Sequence, residues 1–435
     1  MATYPLPVEL TTEILLRLPV KSLLRCKSVC KNWYHLITTP GFIATHRTRF
    51  ALNPNPNINP ASVLVTTYKR VTENHEMSLI LNDGFAYASV NLDFPFLNKS
   101  RNLCIWEFTA GKYFSVVGIR DGLVCISLSP FGHPLILCNP LTTEFREIRR
   151  CPCFLEDDCY IKVKWVSFGF GFHPSAHDYK LIKITQGSSP IHKVVIRADL
   201  YEMGTDTWKE IDVDKLSLFF GEMDSFGWVA SFLRIYQCCA SAVLNGVFYW
   251  PARVKPTNEV IVMSFDMGDE VFRRIRTPVR LDWRDWSDGS LHQSSAHLRS
   301  SHNWQFTELK DELALVIRRE SPGDTSFDVW VLNEEDESSW TNRFKIGPFP
   351  KIARTAVGSQ GVSRITVVGG VKNGELVVAD HKTSGDLVLF SYDPKTLESK
   401  DLYSGMVPYP SDIHLYYGTL LPVNKPNEVF PKGKE

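Results

Sequence analysis

Apolar residues in the first fifty positions recur at helical spacing: Val8, Leu10, Ile14, Leu15 and Leu18, then Leu23, Leu24, Val29, Trp33, Leu36 and Ile37. Pro19 and Pro40 interrupt the series, because proline lacks a backbone donor and biases the preceding residue away from the helical region. Three or four short helices are predicted. Residues 53–60, NPNPNINP, can neither continue a helix nor enter the centre of a sheet. A linker is therefore placed at 51–62, between a helical domain at 1–50 and a second domain at 63–425, with a short tail at 426–435.

Beyond the linker the pattern shortens to β-branched and aromatic runs such as VLVTTY, GLVCISL, KLIKIT, EVIVMSFDM, FDVWVL and DLVLFSYD, bounded by Gly, Asn, Asp or Pro. No long amphipathic helix alternates with them, which argues against a parallel α/β sheet. A repeat runs through these strands: a polar turn, an aromatic residue, then an isoleucine three positions later. It occurs as CNPLTTEFREI (Phe145, Ile148), YEMGTDTWKEI (Trp208, Ile211) and FDMGDEVFRRI (Phe272, Ile275), with looser copies around Trp340 and Ser399. These anchors lie 63, 64, 68 and 59 residues apart, the near-regular period of a radial or stacked array.

Turns such as Asp121-Gly122, Asn245-Gly246, Lys310-Asp311 and Asn373-Gly374 each precede a short strand. One four-stranded sheet per period makes about six units, so the second domain is predicted to be an all-β, six-bladed propeller. The poorly matched first unit fits a ring closed by an N-terminal strand paired with a C-terminal one, near Leu415 to Val423. A two-sheet β-sandwich is the alternative.

Lys plus Arg equals Asp plus Glu at 48 each, so no global field draws the chain to nucleic acid or to an anionic membrane. No apolar run approaches the ~20 residues that span a bilayer. Ten cysteines without regular pairing read as reduced thiols, and the expected location is the cytoplasm or nucleus. Candidate chemistry is sparse. Cys26 and Cys30, one helical turn apart, are assigned to the helical core; Cys151, Cys153 and Cys159 lack a second ligand set, and His292, His297 and His302 lack a ligand spacing. Gly169-x-Gly171 lies in a strand and not before a helix, so it is no phosphate cradle. Asp121, Asp178 and Asp311 could reach a propeller channel, but nothing pairs them. Neither a catalytic set, a metal nor a cofactor is expected.

From Leu6 to His46 the head reads LPVELTTEILLRLPVKSLLRCKSVCKNWYHLITTPGFIATH, which resembles an F-box: Leu6-Pro7, Glu13-Ile14-Leu15, Leu18-Pro19, Lys21 to Arg25, Val29-Cys30-Lys31-x-Trp33 and Pro40-x-Phe42 fall in register. The body is similar to plant F-box-associated and kelch-like domains through GLVCISL, LCNPLTTEFREI, FGFGFHPSAHDYKLIKI and LYEMGTDTWKEI, although kelch double glycines are largely missing. The resemblance implies a non-catalytic substrate receptor of an SCF-type ubiquitin ligase. In such a complex the F-box binds a Skp-type adaptor, and through it a cullin and a RING subunit. The β-propeller holds a protein destined for ubiquitination and degradation; an adaptor-bound scaffold that degrades nothing is the alternative.

Carried onto this chain, the adaptor contacts implied are Leu6, Pro7, Ile14, Leu15, Leu18, Pro19, Leu23, Val29 and Trp33, and Leu18→Ala with Leu23→Ala is expected to remove adaptor binding and leave the body folded. The rim loop at 280–304 concentrates residue types common at binding hot spots: Arg280, Trp283, Arg284, Trp286, Arg299 and Trp304. These are the candidate substrate contacts. Phe219, Phe220, Phe226 and Trp228 are assigned to the core, with an interface as the alternative.

Overall fold

The computed structural model describes residues 6–424 except for 53–61, 70–73, 83–86, 100–113, 130–132, 153–161, 189–194, 213–232, 236–241, 255–258, 282–303, 322–323, 334–338, 351–363, 372–373, 382–384 and 408–409. The head is four helices, α1 (Val8–Leu15), α2 (Val20–Cys26), α3 (Lys31–Thr38) and α4 (Pro40–Leu52). Prolines mark their starts. Pro7 and Pro19 occupy the capping positions of α1 and α2. Pro40 is the first helical residue of α4, where a missing N–H leaves no bond unmade, and the Thr39 hydroxyl accepts from Phe42 N at 3.3 Å. Cys30 caps α3, its Sγ accepting from Trp33 N at 3.5 Å. It is exposed, so the spacing that suggested a core cysteine reflects a cap instead. Helix α4 runs through Leu52 and the first strand begins at Ser62, so helix and strand enter both ends of the expected linker.

The body is six antiparallel sheets in chain order. Blade 1 holds β1 (Ser62–Lys69), β2 (Asn74–Asn82) and β3 (Tyr87–Leu92), followed by the short helix α5 (Pro95–Lys99). Blade 2 is β4 (Ser115–Arg120), β5 (Leu123–Ser127), β6 (Leu135–Asn139) and β7 (Glu144–Ile148). Blade 3 is β8 (Lys162–His173), β9 (Asp178–Ser188), β10 (Val195–Glu202) and β11 (Thr207–Ile211). Blade 4 opens with two short pieces, β12 (Leu233–Ile235) and β13 (Ala242–Leu244), both paired with β14 (Val247–Val254), and continues through β15 (Glu259–Asp266) and β16 (Val271–Arg276).

Blade 5 is β17 (Trp304–Leu309), β18 (Glu312–Ser321), β19 (Asp324–Leu332) and β20 (Trp340–Pro350). Blade 6 is β21 (Arg364–Gly370), β22 (Leu376–His381), β23 (Asp386–Tyr392) and β24 (Ser399–Met406). The last strand, β25 (Pro410–Tyr416), pairs antiparallel with β1, placing Val63 opposite Leu415. This closes the ring a few residues earlier than the sequence suggested, because the chain from Tyr417 onward leaves the sheet. The innermost strands β25, β4, β8, β13, β17 and β21 each touch the next around the circle, and β21 touches β25. A propeller, not a sandwich, is formed.

The repeat has a packing explanation. In a strand, positions three apart point to opposite faces. In blades 2 to 5 the anchor aromatic of the outermost strand faces the preceding blade: Phe145 meets Phe94 and Phe96, and Phe272 lies in the core between blades 3 and 4. Trp208 donates its indole N–H to Arg149 O at 2.7 Å and Trp340 donates to Arg276 O at 2.8 Å, the same bond one and three blades on. The isoleucines face forward. Ile148, Ile211 and Ile275 are buried in the cores that join their blade to the next. In blade 5 the spacing lengthens to Ile346, because a bulge opposite Val329 and Trp330 inserts a residue and reverses the faces.

Turn chemistry follows the same logic. Asp121-Gly122, Asn245-Gly246 and Lys310-Asp311 hold positive φ at both residues, which matches the right-handed twist of a two-residue hairpin. At Gly122 a side chain is excluded twice over: φ is +75°, and a Cβ would sit 2.5 Å from Tyr417 O.

Candidate docking surfaces

The helical head is not a free-standing bundle. Leu15, Leu16, Val20, Leu23, Ile37, Phe42 and Ile43 share one buried cluster with Leu137, Phe168, Phe170 and Tyr179 of blades 2 and 3 and with Leu420, Leu421 and Val423. Fewer than fifty residues cannot bury such a set alone, and the propeller supplies the missing half. Polar contacts orient the joint. Arg47 donates to Asp121 Oδ2 at 2.9 Å, the Tyr179 hydroxyl donates to the same oxygen at 2.8 Å, and the Arg47 guanidinium lies 5.2 Å from the centre of the Phe172 ring.

Asn139 completes it. Its Nδ2 donates to Thr419 O at 3.1 Å and Leu421 O at 3.0 Å, while its Oδ1 accepts from Leu141 N and Thr142 N. The segment after β25 is thereby pinned to blade 2, where Val423 N also donates to Glu144 Oε2 at 3.2 Å.

This packing divides the nine expected adaptor contacts. Leu6, Pro7, Ile14 and Val29 are exposed; Leu18, Pro19 and Trp33 are half-buried; Leu15 and Leu23 are 1% and 0% exposed. Leu15 and Leu23 are inward-facing and offer no surface to a partner in this arrangement. Val8 and Leu10, which the motif reading left out, are 68% and 53% exposed and belong to the outward set. Leu10 and Ile14, four apart, share one face of α1. The signal was in the sequence: α1 is apolar on two faces, and the propeller covers only one of them.

On the propeller, Arg280 is exposed just after blade 4. Trp304 is 6% exposed, edge-to-face with Phe306 and packed between blades 4 and 5. It is a core residue, and its position in an innermost strand, not in a loop, is the reason. Trp283, Arg284, Trp286 and Arg299, like Phe219, Phe220, Phe226, Trp228, His292, His297 and His302, lie outside the described residues.

Two of the three candidate channel carboxylates, Asp121 and Asp178, have structural partners. Asp121 binds the head, Asp178 accepts from Gly204 N at 3.0 Å, and Asp311 sits in the tight turn before β18. Arg120, at the end of the innermost strand β4 of blade 2, reaches across the ring to Glu308 of blade 5 at 3.6 Å and donates to Val243 O of blade 4. The channel is therefore bridged at the level of the head. Burial pushes the Glu308 carboxyl upward, and Arg120 opposes that shift. Among the described residues no group of His, Cys, Asp and Glu has the geometry of a metal site, and no helix is long and apolar enough to cross a membrane.

His46 ties the head to itself. It is 4% exposed, and its Nε2 lies 2.9 Å from Leu18 O, so this nitrogen carries the proton and donates. Burial lowers its pKa to about 4 despite that bond. Its folded pKa is below the ordinary 6.5, so its contribution to stability is complete above about pH 6.5 and is lost as pH falls toward 4. Between pH 7.5 and 5.0 this residue is expected to account for about 2 kcal/mol of lost stability. Urea denaturation at both pH values checks it: His46→Gln, which keeps a donor, should show a smaller pH difference than the native chain. Equal differences would contradict the assignment.

A four-helix head packed on a six-bladed ring defines a two-domain protein of the helical-head and β-propeller class. An F-box domain model matches residues 5–45, and a model of the F-box associated beta propeller domain matches residues 98–404. The chain belongs to the F-box proteins with an F-box-associated β-propeller. Among Arabidopsis thaliana relatives, F-box protein At3g07870 is 26% identical over 434 residues, covering 95% of this chain and 91% of that one. F-box protein At3g08750 is 24% identical over 62% of this chain and 59% of its own length. F-box/kelch-repeat protein At3g23880 is 26% identical over 63% of this chain and 66% of its own.

Proposed function

We propose that this protein is the substrate-recognition subunit of an SCF-type (Skp–cullin–F-box) ubiquitin ligase, working without chemistry of its own. The observation that carries this reading is the split of the head. Its inner face is consumed by the propeller, yet Leu6, Val8, Leu10, Ile14 and Val29 remain more than half exposed. Large apolar side chains at that exposure fit a surface that a Skp-type adaptor covers, with cullin and RING subunits beyond it. The locked joint suits the task, because ubiquitin transfer in trans depends on holding a client lysine at a set position relative to the enzyme. The cytoplasm and nucleus are where such an assembly would act.

The test is co-purification of a Skp-type adaptor with Leu10→Asp/Ile14→Asp. Both positions are solvated, so the variant should fold normally and lose adaptor affinity by at least about a hundredfold. Undiminished capture would reject the reading. Proteasome inhibition then separates a degrading receptor, which accumulates ubiquitylated clients, from a scaffold, which does not.

A further inference from the structure

The outermost strands of the six blades differ in charge. Those of blades 2, 3 and 6 mix signs (EFREI, TWKEI, SKDLYSGM) and that of blade 1 has no charge, whereas those of blades 4 and 5 carry cations and no acids. In a chain with equal numbers of acids and bases this is a local imbalance. The two strands are neighbours, joined where the Trp340 indole N–H meets Arg276 O.

Their cations are unequally engaged. Arg274 pairs with Glu259 at 2.9 Å, and Arg343 pairs with Glu312. Lys345 lies 4.0 Å from Asp328 with 75% of its side chain exposed. Arg276 and Arg280 are exposed and have no side-chain ion pair among the described residues. Strand β16 ends its sheet, so no described strand pairs with its outer edge. Arg274 and Arg276, two apart, point to the side of Phe272, toward blade 3, with the roughly 7 Å repeat of an extended chain.

We infer that the outer edge of blade 4 is a docking surface for an extended acidic segment of the client protein, with Arg276 and Arg280 as its free cationic contacts. This rests on the receptor reading above and gives the client its chemistry. An edge strand supplies main-chain donors and acceptors to an added strand, and alternate side chains supply selectivity. One carboxylate of the incoming segment would meet Arg276, and a further acid would meet Arg280. Arginine suits this role because its planar fork binds a carboxylate through two parallel bonds.

The experiment uses the full chain bound to its adaptor and three fluorescent probes followed by anisotropy: a short peptide alternating Glu and Thr, its Lys and Thr counterpart, and a short single-stranded DNA. The acidic peptide should bind in a salt-dependent manner, the basic one should not, and Arg276→Glu/Arg280→Glu should weaken the acidic peptide by at least about tenfold. No binding of the acidic peptide, equal binding by the variant, or DNA binding as tight as the peptide's would each overturn the inference; the last would mark an unselective polyanion surface. Adaptor capture, read in the same preparations, depends on the head alone. Its loss would sink the receptor reading separately.

Discussion

Asn139→Ala is expected to destabilise the protein by about 3–5 kcal/mol, although the residue lies in no site and touches no partner. Its side chain is buried, makes four hydrogen bonds, and satisfies two carbonyls of a segment 280 and 282 residues away. Alanine leaves the buried Thr419 O and Leu421 O without that donor, and the half-buried Leu141 N and Thr142 N without their acceptor. The tail segment then loosens, and with it the floor on which α2 rests. Asn139→Asp should be at least as damaging, since it keeps the acceptor but turns an anion toward two carbonyl oxygens. Denaturant titration and proteolysis of residues 417–424 check both. An alanine variant with an unshifted midpoint would show that the tail is held by packing alone.

Leu23→Ala is expected to cost about 2–5 kcal/mol, in head and body together. The F-box resemblance makes Leu23 an adaptor contact, whose loss would leave the body intact. In the structure it is 0% exposed and belongs to the cluster that runs from α2 into blades 2 and 3. A cavity there removes contacts from both domains, and the joint is expected to unfold cooperatively with blade 2. Tryptophan fluorescence during urea denaturation should report an earlier midpoint. A lost adaptor with an unchanged midpoint would restore the contact reading. The exposed pair Leu10 and Ile14 provides the contrast, since the same measurement should find their aspartate variants stable.

Much of the architecture was legible because it is local. Prolines at positions 7, 19 and 40 delimit helices by the geometry of one residue, and Asp-Gly or Asn-Gly turns join the innermost strand of a blade to its second for the same kind of reason. The repeat was legible as well, since an aromatic and an isoleucine on opposite faces of an outer strand are needed once per blade. Trp304 shows the limit: tryptophan and arginine near a loop read alike as a binding rim, whereas the strand start that buries Trp304 between blades is decided by what packs beside it.

What the sequence by itself determined, then, is a helical head, a ring of near-equal sheets and the family to which both belong, because periodicity and turn residues act over a few positions. Only the tertiary structure decided which face of α1 is consumed, that Arg47 grips Asp121, that Arg120 bridges the channel to Glu308, and that residues 417–424 lie between head and ring. Apolar spacing marks a residue as needing cover and does not say what covers it. That choice belongs to parts of the chain hundreds of residues apart, which meet only when the ring closes.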